Sequence, residues 1–213
     1  MSEMGRPLAL RVVRWQQSAM KIVSLGLFCL ARRMIDAVGV PPERYPFDDA
    51  FTTLPIVNHC LEDNFADFLD FDRLLPCMND NSWTPEVFRQ RYNAGPVYAH
   101  HDMRTEENRS KFVRRSNRFL GLDASTLLVV MGDAPAILNG ELQRLRANAT
   151  RLFGDAKILA IAFGDGADWA CDGVEIARVY PTAPTQDGLT FPNQADTDEV
   201  VGRIRDAAGR PRA

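Results

Sequence analysis

Apolar residues in this chain recur in two rhythms. Four short runs are close to continuous, Lys21 to Leu25, Thr126 to Met131, Lys157 to Ala162 and Val174 to Tyr180. The first three carry almost no polar positions, the pattern of strands covered on both faces. Between them, apolar positions return every three or four residues over Leu30 to Val38, Pro55 to Leu69, Ser110 to Leu120 and Ala136 to Phe153. That spacing predicts helices with one buried stripe, and a more polar helix is expected over Asp196 to Ala208. Strands alternating with helices predict an α/β fold of three layers, a mostly parallel sheet with helices on both faces. The unit from Thr126 to Ala162 is strand, helix, strand, which the handedness rule makes a right-handed crossover.

Residues 70 to 108 break both rhythms. Pro76, Pro85, Gly95 and Pro96 fall there among Asn and Asp clusters, so the segment reads as an irregular insertion lying over the strand ends. Residues 1 to 19 read as a loosely ordered extension, with the fold beginning near Met20 and forming one domain over 20 to 208. Residues 182 to 194 read as loop, and 209 to 213 as a frayed tail. At 213 residues one hydrophobic core of full size is affordable and a second domain is not expected.

Composition narrows the functional classes. A net charge of −3 argues against bulk nucleic-acid binding. No apolar run approaches the roughly 20 residues needed to span a bilayer, so no membrane partner is expected. The start of the chain lacks the cleavage pattern of a signal peptide. The four cysteines, Cys29, Cys60, Cys77 and Cys171, include no Cys-x-x-Cys pair and read as reduced thiols of a cytoplasmic protein. No Gly-x-Gly-x-x-Gly or phosphate loop is present, and no cofactor is expected.

In an open parallel sheet, ligands gather beyond the carboxyl ends of the strands. Cys29 follows the first strand and a Ser24 to Gly26 turn, at the start of a helix where outward N–H groups favour a thiolate. From position alone the commoner reading is a small buried apolar residue. Asp133 and Asp165 follow the second and third strands in Gly-Asp turns, and either line the same rim or simply end their strands. Only three histidines exist. His59 falls inside a helical pattern and reads as a packing or surface residue. His100-His101-Asp102 falls in the insertion, where His101, or else His100, can be carried to Cys29 with Asp102 as a neighbouring orienter. A metal site is not expected from that spacing. Asp48, in Tyr45-Pro46-Phe47-Asp48-Asp49, either faces the rim or caps a helix. Arg114, Arg115 and Arg118 on the Lys111 to Phe119 helix form either a clamp for an anion or a solvated basic face.

Several of these residues, in order, resemble a papain-like cysteine peptidase family of bacteria. They are Val23-Ser24-Leu25-Gly26 with Cys29, Tyr45-Pro46-Phe47-Asp48, Asp63 to Leu69 with its phenylalanines, His101-Asp102, and Arg114-Arg115 to Arg118-Phe119. The resemblance spans about residues 20 to 165 and implies a thiol nucleophile and a histidine base, mapping to Cys29 and His101. Asp49 stands where an aromatic residue is expected in relatives. A papain-like enzyme sets its cysteine on a helix against an antiparallel barrel, whereas the runs here predict a parallel sheet, so the family name describes a catalytic pair rather than this fold.

Two functional readings follow. The first is a thiol hydrolase or acyl transferase acting on a peptide or small-molecule substrate, with Cys29 as nucleophile, His101 as base and Asp102 or Asp48 as orienter. The alternative is a non-catalytic module in which the sheet rim and the three arginines hold an anionic small molecule such as a phosphosugar or nucleotide.

Overall fold

The structure is a computed structural model that describes residues 20–26, 29–41, 43–77, 81–137, 140–165, 170–183 and 190–209. The expectations for residues 1 to 19 and for the last four residues lie outside these, as do Leu27 and Phe28 of the first turn. In chain order the elements are β1 (Lys21–Ser24), α1 (Cys29–Val38), a 3-10 turn (Pro46–Asp49), α2 (Leu54–Glu62), β2 (Leu74–Pro76), β3 (Trp83–Pro85) and α3 (Glu86–Tyr92). There follow α4 (Glu106–Leu120), β4 (Thr126–Asp133), α5 (Ala134–Ile137), α6 (Glu141–Phe153), β5 (Lys157–Phe163), β6 (Glu175–Val179) and α7 (Gln194–Ala207).

The four predicted strands form one wholly parallel sheet in the order β1-β4-β5-β6. Alternate side chains along each strand enter different cores, as the two-residue period requires. Val23, Leu128, Val130, Ile158 and Ala160 join the side chains of α2, α4 and α6 in one core. Ile22, Leu127, Val129, Leu159 and Ile161 pack with α1 and α7 in the other. The molecule is therefore the three-layer α/β fold that its apolar runs predict.

Three elements differ from the sequence reading. The helix predicted over Pro55 to Leu69 ends at Glu62, because Asn64 and Phe65 take left-handed backbone at φ 53° and 67°. A phenylalanine with positive φ is strained. Its ring is fully buried against Phe47, Phe68 and Phe119 at centroid distances of 5.4 to 5.7 Å, and that aromatic packing offsets the cost. The helix predicted over Ala136 to Phe153 is two, α5 and α6, with Gly140 at the N-cap of the second, in keeping with the Asn-Gly turn signal. The 70 to 108 insertion has more order than its turn residues suggest. It carries the β2–β3 hairpin, α3, and a bridge from Trp83 to Tyr98, because Phe88 and Tyr98 are fully buried in the first core.

Candidate active site

The turn leaving β1 is built by two residues. Ser24 is buried and its Oγ accepts the Gly26 N–H at 3.0 Å. Gly26 has φ +81°, and a Cβ there would stand 2.6 Å from Thr52 Oγ1 and 3.3 Å from Phe47 Cβ. Glycine is thus required both by backbone angle and by the close approach of the 47–52 segment. Ser24 and Gly26 act as scaffold, drawing the start of α1 against the 3-10 turn.

Cys29 is the first residue of α1 and half-buried. Its thiol is nonetheless raised above the ordinary range, first by burial and then by the Asp49 charge, while Arg33 and its own backbone N–H act in the opposite sense. Burial with a carboxylate thus outweighs the lowering expected at the start of a helix.

The two adjacent aspartates of the 3-10 turn have opposite surroundings. Asp48 turns inward, where its Oδ2 accepts the Tyr45 N–H at 2.8 Å and lies 3.7 Å from Arg32 Nη1. Burial raises its carboxyl to about 6 despite these partners. Its Oδ1 and the Arg32 Nε are both buried without a hydrogen bond. Asp49 turns outward to α4. Its Oδ2 accepts from Arg115 Nη1 at 2.7 Å and lies 3.5 Å from Lys111 Nζ and 3.7 Å from His101 Nε2. Burial favours its protonated form, but Arg115, then Lys111 and His101, hold the carboxyl below its usual range.

His101 thus meets the chain at Asp49, not at its sequence neighbour Asp102. Its Nε2 faces that carboxylate, its Nδ1 faces the Lys111 ammonium at 3.5 Å, and its ring stands edge-on to Phe112 at 5.2 Å. Burial and then the Lys111 charge lower the imidazole to about 4, against the pull of Asp49. Among the described residues no hydrogen bond joins the Cys29 thiol to His101; the two are linked through Asp49, which acts electrostatically on both.

Asp102 instead forks onto Arg104, at 2.8 Å to Nε and 2.9 Å to Nη2. His100 is exposed and stands edge-on to Phe51 at 5.6 Å. The three arginines have three destinations: Arg115 bonds Asp49, Arg118 donates to the Arg44 carbonyl at 2.7 Å, and Arg114 lines an open groove of about 480 Å³ with Phe71 and Arg109. Asp133 and Asp165 are exposed at the ends of β4 and β5. Ser24 is paired with Val129, so Asp133 lies four residues further along the sheet axis, about 13 Å at 3.3 Å per residue. The sheet rim therefore steps rather than forming one level edge, and Cys29 leaves from the lower step.

Sequence reasoning missed Asp49 and Lys111. The signal was available in the i, i+4 spacing of Lys111 and Arg115 around Phe112, which puts both cations on one face of α4. His59, read as packing or surface, is buried and bonded to Tyr92 OH through Nδ1 at 2.8 Å and to Asp67 through Nε2 at 2.7 Å. Among the described residues, His59, Asp63 and Asp67 form the one group whose donor atoms, all within 4.8 Å of one another, can hold a metal ion.

Residues 20–131 match the model of a family described as putative papain-like cysteine peptidase. No curated protein and no solved structure matches the chain.

Proposed function

The chain belongs to that family of putative papain-like cysteine peptidases, and on this premise we propose that it is a thiol hydrolase acting on peptides, with Cys29 as nucleophile, His101 as base and Asp49 as orienter. The observation that supports the proposal is the seat of His101, whose imidazole Nε2 lies 3.7 Å from the Asp49 carboxylate of the 3-10 turn that packs against α1, in a chain that matches a family of putative cysteine peptidases. A nucleophile, a base and a carboxylate that orients the base are the constellation that acyl transfer by a thiol requires.

With Nε2–H turned toward the Asp49 carboxylate, 3.7 Å away and beyond hydrogen-bond reach in the resting protein, Nδ1 is the nitrogen left to accept a proton. In the reaction Cys29 Sγ attacks the scissile carbonyl carbon while Nδ1 takes the thiol proton. The same nitrogen returns that proton to the leaving amine as the C–N bond breaks, and water then hydrolyses the thioester. Backbone N–H groups of the first turn of α1 have no intrahelical partner and suit the developing oxyanion. Asp48, buried on Arg32, sets the position of the 3-10 turn rather than touching substrate. A reduced cytosolic setting fits a chain whose four cysteines are all free. Among the described residues no helix is long and apolar enough to cross a membrane.

The test is hydrolysis of a fluorogenic peptide library by the wild type and by Cys29→Ala. Activity in the wild type that disappears in the variant is expected, and full retention overturns the reading. The anion-binding alternative has weaker support, since Arg114, Arg115 and Arg118 do not converge on one point.

A further inference from the structure

At the Asp49 hub two cations, Lys111 and Arg115, share one carboxylate within ion-pair distance, Glu107 acts on Lys111 from one turn earlier in α4, and His101 beside them is neutral near pH 7. Asp48 lies on the far side of the turn and is occupied with Arg32. Arg115 is nearly buried and held at 2.7 Å, whereas Lys111 is partly exposed and stands 3.5 Å from both Asp49 Oδ2 and His101 Nδ1. A lysine ammonium on a four-carbon stem is the mobile member of such a set, and Arg115 is the fixed one.

The placement of Lys111 has a specific consequence. Nδ1 is the base in the reaction proposed above, and its lone pair is where the ammonium lies. A donor on that lone pair competes with the thiol for it, and a cation beside the ring opposes imidazolium formation. We propose that Lys111 is a positioning residue that caps Nδ1 of His101 in the resting protein and gives it up to a carboxylate on the substrate, so that the site takes acidic peptides. This rests on the Cys29 and His101 reading for its substrate half, but the cap itself is a property of the resting protein. A substrate carboxylate that draws Lys111 outward frees the base in the same movement, which couples recognition to activation.

The charged groups facing His101 are Lys111 and Arg115 from α4, Asp49 from the 3-10 turn and its neighbour His100. Removing Lys111 therefore leaves one cation and one carboxylate beside the ring. The test follows the His101 ring protons by NMR across pH in the wild type, Lys111→Met and Lys111→Arg, with the resonance assigned by comparison with His101→Gln. The wild-type midpoint is expected near 4, and that of Lys111→Met at least tenfold higher in proton affinity, with Lys111→Arg restoring the low value. Equal midpoints in wild type and Lys111→Met overturn the cap. If Lys111→Met does not fold, Lys111→Gln makes the same comparison. Peptides with Asp or Glu beside the scissile bond are then compared with their Ala counterparts. A wild-type preference of at least tenfold in kcat/KM for the acidic peptides, lost in Lys111→Met, supports the substrate half. An equal preference in both proteins overturns it. Absence of hydrolysis of every peptide overturns the peptidase reading instead, and leaves the NMR result standing.

Discussion

His101 Nε2 lies 3.7 Å from Asp49 Oδ2, so the insertion approaches the 3-10 turn at the outward of its two aspartates. Asp49→Asn removes the charge that orients the imidazole. Peptide hydrolysis is expected to fall by about 10²–10⁴, the usual share of general acid–base catalysis. Asp102→Asn, whose carboxylate is engaged with Arg104, is expected to change it less than threefold. Equal losses in kcat/KM for the two variants would contradict this assignment.

Cys29 alkylation provides a second check, independent of substrate. Burial and Asp49 raise the thiol, so in a variant with Cys60, Cys77 and Cys171 replaced by serine, the rate of reaction with iodoacetamide is expected to climb through an inflection above the free-thiol value of about 8.5. Asp49→Asn moves that inflection down while activity also falls, because the same carboxylate that opposes the thiolate also orients the base. An inflection well below 8.5 in the unsubstituted site would show a resting thiolate.

Asp48 makes stability depend on pH. Its carboxyl is raised from 3.8 to about 6 in the folded protein, so the folded state binds that proton more tightly than the unfolded chain does. The contribution is present in full below about 4 and is lost as pH rises through 6. A displacement of roughly two pH units corresponds to about 3 kcal/mol at most. Asp48→Asn keeps an acceptor for the Tyr45 N–H and cannot ionise. Urea unfolding from pH 4 to 7 is expected to show a flatter profile in the variant than in the wild type, and parallel profiles would refute it.

Gly26→Ala tests the scaffold. The new Cβ meets left-handed backbone and Thr52 Oγ1 at 2.6 Å, and a loss of about 1–3 kcal/mol is expected. Calorimetry should register this as a drop of several degrees in Tm. A Tm within one degree of wild type would mean the turn relaxes without cost.

The strands and most helices were legible because burial on two faces leaves continuous apolar runs, as in Leu127 to Met131, and burial on one leaves the three-and-four spacing of Phe112, Ser116 and Phe119. The end of α2 was not, since Phe65 adopts its strained angle against Phe68 and two rings distant in the chain, Phe47 and Phe119. At the site, the place of Cys29 was readable from a strand-turn-helix pattern. The partner of His101 was not. Sequence adjacency favours Asp102, but an exposed arginine two residues on takes that carboxylate, and the approach of Asp49 depends on packing between the 3-10 turn and α4. Nor does any local pattern tell Asp48 from Asp49: one peptide unit apart, they differ only in which way the turn aims them.

Because the sheet separates two cores, Cys29 and His101 hang from different halves of the molecule. Cys29 rides on α1, anchored by Leu30, Met34 and Ile35 in one core, while Asp49, His101 and Lys111 are held by Phe47 and Phe112 in the other. Their separation is then a gauge of how the two halves seat across β1, the edge strand between them. A substitution such as Ile35→Val or Phe119→Leu, made in one core or the other, therefore reaches the gap between thiol and imidazole through packing alone.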